Sequence, residues 1–398
     1  MEKNKIIAIS GQPVTGKGTT VKGIISKLKE QGYLDANIHV ISTGHEFRNY
    51  FNAIFEIIKN YDNTGKIETL AQNEYLKIFF EKKEYREILI DTISKLKQSK
   101  IDIHNLNIEH ANNLKEFSGL RKVIDNIIDK GVEEKGKNIN SVLKPNDIWL
   151  VDSRLAFHNI PEAFSVRLIS NPNIAAERLF NDKDRGKEDN KYNNIQEAYE
   201  ARENRRIGEQ ERYIKRYGLD LEDENNYDLI IDTSYSTIDD ISNTILKCLD
   251  CYINHQPFSK KWTSPKTLIP FQREEDTLGE GGFFYNLEEL VDIIKEEGYK
   301  PEEAIEVIES DGIKYIIEGH HRNFAAALTK NTLVPYTVIA KDDEMIPYHP
   351  RTAKQRANEL QLRYLSGHEW MLGENFSYDE VYPGLLQKTK EREESEGR

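Results

Sequence analysis

Cysteine is nearly absent: the 398 residues hold two, Cys248 and Cys251. That scarcity excludes a disulfide-stapled secreted scaffold. The pair forms C-x-x-C on a segment that reads as helix. Reduced thiols on a helical face fit it better than a redox pair, and no further ligands stand at zinc spacing around it. Long apolar runs are missing too. None approaches the ~18 residues of a membrane span. The opening MEKNKIIAIS enters a strand without a signal-peptide pattern, so the expected location is cytoplasmic. Basic residues are outnumbered, Lys+Arg 55 against Asp+Glu 68, for a net charge of -13. An acidic chain gains nothing from general attraction to phosphate backbones. Broad, non-specific DNA or RNA binding is disfavoured, and a local basic cleft is not.

What is present is length for two or more domains and a 38% hydrophobic content that can fill ordinary cores. Short β-branched runs at Lys5–Ser10, Ile38–Ser42, Asp147–Asp152, Phe164–Ser170 and Asp228–Asp232 alternate with helical patterns. This predicts an α/β fold with a parallel sheet flanked by helices. Residues 60–145 are polar and helical in pattern and read as an insert outside the sheet. Three prolines within His255–Pro270 break the helical pattern, which places a linker at 254–262. Beyond it, a helix over Leu287–Glu297, a strand at Ala304–Ile308, a turn at Ser310–Gly312, a strand at Lys314–Glu318, a helix over Asn323–Thr329 and a strand at Tyr336–Ala340 predict a smaller, separate α+β unit at 263–345. A helical tail covers 346–398, with its last dozen residues expected to fray.

The first chemical motif lies between the first strand and the first helix. Gly11, Gly16 and Lys17 form G-x-x-x-x-G-K, in which glycines let backbone N–H groups converge on phosphate oxygens and a helix N-terminus adds partial positive charge. Gly11, Thr15, Gly16, Lys17, Gly18, Thr19 and Thr20 are the candidate ATP-binding residues. Lys17 can reach the β- and γ-phosphates. Gly18 replaces the usual Ser/Thr, so direct metal ligation there is lost. Mg²⁺ would then be held largely through water, with Asp152 at the end of a neighbouring strand. No direct metal ligand is assigned. A helix N-cap is the plain alternative for Asp152.

The G-K-G-T ending resembles the nucleoside monophosphate kinases. Three further elements resemble archaeal-type cytidylate kinases: Gly44-His-Glu-Phe47-Arg48 after the second strand, Asp152-Ser-Arg154-Leu-Ala, and the long run from Arg212-Tyr213 through Tyr217-Gly218, Asp220 and Asp223 to Tyr227-Asp228-Leu-Ile-Ile-Asp-Thr233. The resemblance covers about residues 1–253. It implies a P-loop kinase using ATP and Mg²⁺. Gly44, Arg48 and Arg154 then form the acceptor site, with Lys17, Asp152, Arg154, Arg202 and Arg206 catalytic. Phosphoryl transfer depends on positioning and charge stabilisation, which suits this supply of arginines. Arg178, Arg185, Arg205 and Arg212 extend it, and some should close over ATP as a lid. A solvated helical face with ion pairs, such as Glu209 with Arg212, is the plain alternative for any one of them. The insert falls where the family builds its acceptor site and is longer than usual, so the resemblance does not carry recognition of the base.

A second constellation, Glu318-Gly319-His320-His321-Arg322, stands at a strand-to-helix junction. A glycine, imidazoles, a guanidinium and a helix N-terminus make a candidate phosphate site. With Pro270-Phe-Gln-Arg273 upstream and Val334-Pro335 downstream, residues 263–342 resemble the ParB/sulfiredoxin superfamily. The E-G-H-H-R form is closer to its free-serine kinases than to its partitioning proteins. The sulfiredoxin cysteine is missing, which disfavours that reductase activity. A phosphate-contacting or general-base histidine fits better than a metal ligand. The unit can equally be a binding module without catalysis.

Three readings follow. The chain is an ATP-dependent kinase of a pyrimidine nucleotide such as CMP, dCMP or a modified form. Alternatively it phosphorylates a hydroxymethylated pyrimidine in DNA, with DNA a possible partner through the second unit. The third reading is a nucleotide-binding regulatory switch. The oligomeric state is not readable from the chain.

Overall fold

The computed structural model describes residues 5–64, 73–99, 114–142, 144, 146–182, 192–270, 284–329 and 333–364, together with 101, 106, 108 and 111. Strand β1 (Ile6–Gly11) is buried from Ile6 to Ser10, as a central strand covered on both faces must be. Nine further strands follow: β2 (Ile38–Ser42), β3 (Ile148–Asp152), β4 (Phe164–Ile169), β5 (Leu229–Asp232), β6 (Lys261–Thr263), β7 (Leu268–Ile269), β8 (Ile305–Ser310), β9 (Ile313–Glu318) and β10 (Val334–Lys341). They form one sheet in the order β2-β3-β1-β4-β5-β6-β10-β8-β9-β7. The first six positions of that order are parallel. The predicted α/β class with a parallel sheet therefore holds.

Crossovers go to one side of β1 for β2 and β3, then to the other for β4 and β5. The crevice beyond the carboxyl end of β1 is the topological switch point, where open α/β sheets bind ligands. Helices Lys17–Glu30 and Ile238–Ile253 cover one face through Val21, Ile24, Ile241 and Ile245, packed on Ile7, Ile9, Val166 and Leu168. On the other face Ile6, Ala8 and Val151 meet Val132, Ala156 and Ile160. The polar region expected as a helical insert does contain helices: Glu74–Glu81, Lys83–Gln98 and Ser118–Val142. With helix Thr43–Thr64 they enclose a core of their own around Phe51, Ile54, Phe79, Leu89, Phe117 and Leu120.

The span read as linker, 254–262, is not a free connector: the sheet runs through its end. Lys261 and Trp262 pair with Ile230 and Ile231 of β5 on one side and with Tyr336 and Pro335 of β10 on the other. Pro257 and Pro265 flank this strand and do not interrupt it. Three residues are too short to show a period-2 pattern, which is why the proline spacing dominated the reading. The helix expected from Asn323 begins at His320, capped by Gly319. The tail has a helix at Ala353–Tyr364; its last dozen residues lie outside the described residues. Arg185, Phe271, Arg273 and Phe283 also lie outside them.

The directions of the strands have a consequence. β10 is antiparallel to β6, β8 is parallel to β10, and β9 is antiparallel to β8. So β9 runs the same way as β1. The Gly16 and Gly319 junctions, both left-handed (φ 82 and 98) and both opening a helix, lie on one edge of one sheet. β1 is third and β9 ninth in the order. At ~4.8 Å per strand the junctions stand about 29 Å apart.

Gly23 tests the packing of the first helix. A Cβ there would meet Ser242 Oγ at 2.4 Å and Ile238 Cγ2 at 2.7 Å. Helix propensity favours Ala by roughly 1 kcal/mol, while overpacking costs about 1–3 kcal/mol. Gly23→Ala should therefore lower the urea midpoint. A raised midpoint would mean that the two helices are not in this contact.

Candidate active site

The loop after β1 is shaped by close approach. A Cβ on Gly11 would lie 2.5 Å from Leu168 O and 2.8 Å from Thr15 Oγ1. Val14 takes φ 65, a conformation that a β-branched residue adopts only where its surroundings impose it. Thr15 is buried, donates to Gln12 O at 3.0 Å and accepts at its carbonyl from Thr233 Oγ1 at 3.1 Å. Thr20 is buried in the first helix, and Gly18 and Thr19 are exposed at its opening. Lys17 curls back, its ammonium donating to Gly11 O at 2.9 Å and Gln12 O at 3.0 Å. Withdrawal from water and the neighbouring Arg154 guanidinium lower its pKa to about 7, against the opposing pull of Asp152 and Glu209.

Asp152 ends β3 opposite Ile9 and Ser42. Its carboxylate accepts from Ser42 Oγ at 3.1 Å, and its carbonyl from Thr43 Oγ1 at 3.2 Å. It is not a helix N-cap, since the short helix Ala156–Asn159 is preceded by Leu155. Among the described residues no cluster of three or more His, Cys, Asp or Glu could hold a metal. The donor set suits a cation that arrives on phosphate oxygens and meets the chain through water at Asp152. Helix Thr43–Thr64 follows directly on Ser42, the last residue of β2, so Gly44 and Arg48 sit at this same sheet edge. Arg48 is exposed and has no side-chain partner among the described residues.

Helix Ile195–Tyr217 crosses the mouth of the loop and brings carboxylates as well as arginines. A cavity beside the loop is lined by Ser10 to Pro13 together with Arg154, Arg167, Arg206, Glu209, Gln210, Leu221, Glu222 and Tyr227. Arg154 is ion-paired with Glu209, whose other oxygen takes Arg205 Nε at 3.0 Å. Burial alone would push the Glu209 carboxyl up; the Arg154 and Arg205 guanidiniums outweigh it and hold it at about 2. Gln12 Oε1 accepts from Arg202 Nη2 at 2.8 Å, and Gln12 Nε2 donates to Glu222 at 2.9 Å. Arg202 is 1% exposed and also paired with Glu203. Arg206 bridges Glu203 at 2.8 Å and Glu222 at 2.7 Å, and Arg167 donates to Glu222 O at 2.9 Å.

Arg154 and Arg206 line this cavity, Lys17 and Arg202 bond the Gln12 that also lines it, and Asp152 ends the neighbouring strand β3. The sequence motifs did not single out Gln12, Arg167 or Glu222, and offered Glu209 only as a surface ion pair; these four line the cavity and tie the arginines to it. The suggested pair of Glu209 with Arg212 is corrected. Glu209 takes Arg154 and Arg205, while Arg212 and Arg216 turn to Asp125 of the insert at 3.9 and 3.7 Å. Tyr217 bonds Asp129, and burial raises the carboxyl pKa of both Asp125 and Asp129. Arg178 serves structure, donating to the Thr233 and Ser234 carbonyls. Cys248 and Cys251 are free and buried, with burial raising both thiols.

In the second half His320 is buried, His321 and Arg322 are half-buried, and Glu318 is exposed. The Arg322 guanidinium is turned onto the carbonyls of Glu303 at 3.0 Å and Ala304 at 3.2 Å. In this conformation it ties the helix to the start of β8 and does not point its fork at a ligand.

A strand, a glycine-rich turn, a helix N-terminus and arginines converging at a topological switch point define a P-loop nucleotide-binding fold of the kinase type. Comparison with known proteins agrees. The N-terminal part is 32% identical over 142 residues to the cytidylate kinase of Methanocella arvoryzae, covering 36% of this chain and 74% of that protein. Over that part the chain belongs to the cytidylate kinase family, and at the coarse level it is a nucleotide kinase. No protein-family model matches the chain. Among the described residues no helix is long and apolar enough to cross a membrane.

The lowered Lys17 pKa has a measurable sign. Above about pH 7 the unliganded ammonium gives up its proton, and a triphosphate favours the charged form. Nucleotide binding should therefore take up close to one proton between roughly pH 7 and 10, and affinity should fall as pH rises through that window. Below pH 6 this group should contribute none. Calorimetry in two buffers of different ionisation enthalpy reads the uptake, which Lys17→Met should remove.

Proposed function

We propose that the chain transfers the γ-phosphoryl group of ATP to the phosphate of a pyrimidine nucleoside monophosphate, CMP or dCMP first among them. The observation that carries this reading is the gathering of cations at the phosphate loop: Lys17 and Arg202 bond its Gly11 and Gln12, and Arg154 and Arg206 line the cavity beside it. The similarity to a cytidylate kinase supports the choice of acceptor. An acceptor phosphate oxygen attacks the γ-phosphorus. The bond from that phosphorus to the β–γ bridging oxygen breaks, leaving ADP and a nucleoside diphosphate. Lys17 neutralises charge on the leaving side. Arg154 and Arg48 orient the acceptor phosphate, and Arg202 and Arg206 close from the lid helix. Mg²⁺, when bound, neutralises the donor phosphates, with Asp152 as its contact through water.

In this reading residues 1–253 are the catalytic unit, with the insert shaping the acceptor side. Residues 263–345 are a second unit that selects or presents substrate. Its Glu318–Arg322 element and Arg273 are candidate phosphate contacts once Arg322 leaves its carbonyls.

The test offers labelled ATP and Mg²⁺ with CMP, dCMP, UMP, free serine and hydroxymethyluracil-containing DNA in turn. Label on CMP or dCMP, lost by at least about 100-fold in Lys17→Ala, is the expected result. Label on DNA alone would replace this reading with a DNA-base kinase. ATP binding without any transfer would replace it with a nucleotide-controlled switch. Label on serine that survives Lys17→Ala and disappears with Arg322→Ala would move the chemistry to the second unit.

A further inference from the structure

The lid helix contributes a carboxylate where a phosphate site should need only cations. Glu209 is 12% exposed, lines the cavity of the phosphate loop, and divides its two oxygens between Arg154 and Arg205. Arg154 follows β3 and is itself 18% exposed. Arg205 lies one turn earlier on the helix that carries Glu209. One carboxylate therefore joins the turn after β3 to the lid. Leaving a carboxylate beside phosphates is costly unless its charge is already spoken for. Two guanidiniums on one carboxylate leave a net positive charge on the group, so it still attracts phosphate. An arginine side chain is also rich in rotamers, and fixing it beforehand removes that entropy loss from the transfer step.

We propose that Glu209 is a positioning residue for phosphoryl transfer: it holds the Arg154 fork in place beside the phosphate loop and couples that fork to closure of the helix Ile195–Tyr217. The idea rests on the kinase reading above. It assigns a role to a residue that contacts no phosphate itself. It separates Glu209 from Glu222, which meets the loop through Gln12 and belongs to the segment after the helix. A lid-borne carboxylate that only competed with phosphate would behave in the opposite way, since its removal would tighten nucleotide binding.

The experiment measures steady-state transfer to the acceptor that the wild-type chain uses, for Glu209→Gln, Glu209→Asp, Arg154→Met and the double variant Arg154→Met/Glu209→Gln. Glu209→Gln should lower kcat by about 100-fold with KM for ATP little changed. Glu209→Asp, which keeps the charge but reaches less far, should recover part of that loss. In the Arg154→Met background Glu209→Gln should add no further loss, because the two act as one unit. If Glu209→Gln does not fold, as judged by its thermal transition, the cycle is run with Glu209→Asp. Independent, additive losses would overturn the proposal, and so would an unchanged kcat or a tighter KM for ATP. A wild-type chain that labels no acceptor overturns the kinase reading instead, and this inference with it.

Discussion

Positive charge gathered at the carboxyl end of β1 is the constraint on which the rest depends. Lys17, Arg154, Arg167, Arg202 and Arg206 meet the loop or the cavity beside it, and Arg205 reaches it through Glu209. Unscreened, such a group would repel itself, and the low pKa of Lys17 records part of that repulsion. The chain answers with carboxylates from a single segment. Glu203 and Glu209 come from the lid helix and Glu222 from the turn that follows it. Because these carboxylates lie on the helix Ile195–Tyr217 and its exit turn, the charge is balanced while that segment packs against the loop. The phosphate site and the position of the lid are therefore one electrostatic problem, and a bound nucleotide brings further anionic oxygens into it.

That constraint reaches both ends of the molecule. At the far end of the lid helix Arg212, Arg216 and Tyr217 are held by Asp125, Asn126 and Asp129 of the insert. Shifting the helix Ile195–Tyr217 would carry the insert helix Ser118–Val142 with it or break these part-buried polar contacts. In the other direction Glu224 takes Lys261 of β6 at 2.6 Å, two residues beyond the Glu222 that holds Gln12 and Arg206. The short segment between the lid helix and β5 thus touches the phosphate loop, the central sheet and the strand that joins the second half. The phosphate loop, the insert and the second half share contacts through one helix and its exit turn.

Much of this was legible in the chain, for identifiable reasons. The strand, glycines and helix of residues 5–20 are local, so spacing alone revealed them. Strands β1, β3, β4 and β5 showed as apolar runs because they are largely buried on both faces. What could not be read was pairing across distance. Nothing adjacent to Arg154 names Glu209, and a glutamate four residues from Arg205 looks like any surface ion pair. Arg322 shows the converse. A guanidinium after a glycine at a helix start suggests a ligand, yet backbone carbonyls at Glu303 and Ala304 satisfy it first. β6 escaped notice because three residues between prolines carry no period, while the hydrogen bonds that make it a strand come from residues at 230 and 336.

The continuity of the sheet changes what the second half can do. A unit on a flexible tether would present its substrate by chance encounter, at an effective concentration set by the linker. Here Lys261–Thr263 is paired on both sides, so the Gly319 junction stands at a fixed position along the same edge as the phosphate loop. About 29 Å is farther than one nucleotide spans, so a mononucleotide cannot occupy both places. The exit turn at Glu222 and Glu224 touches both the loop and β6, so it ties the phosphate loop to the strand through which the sheet continues into the second half.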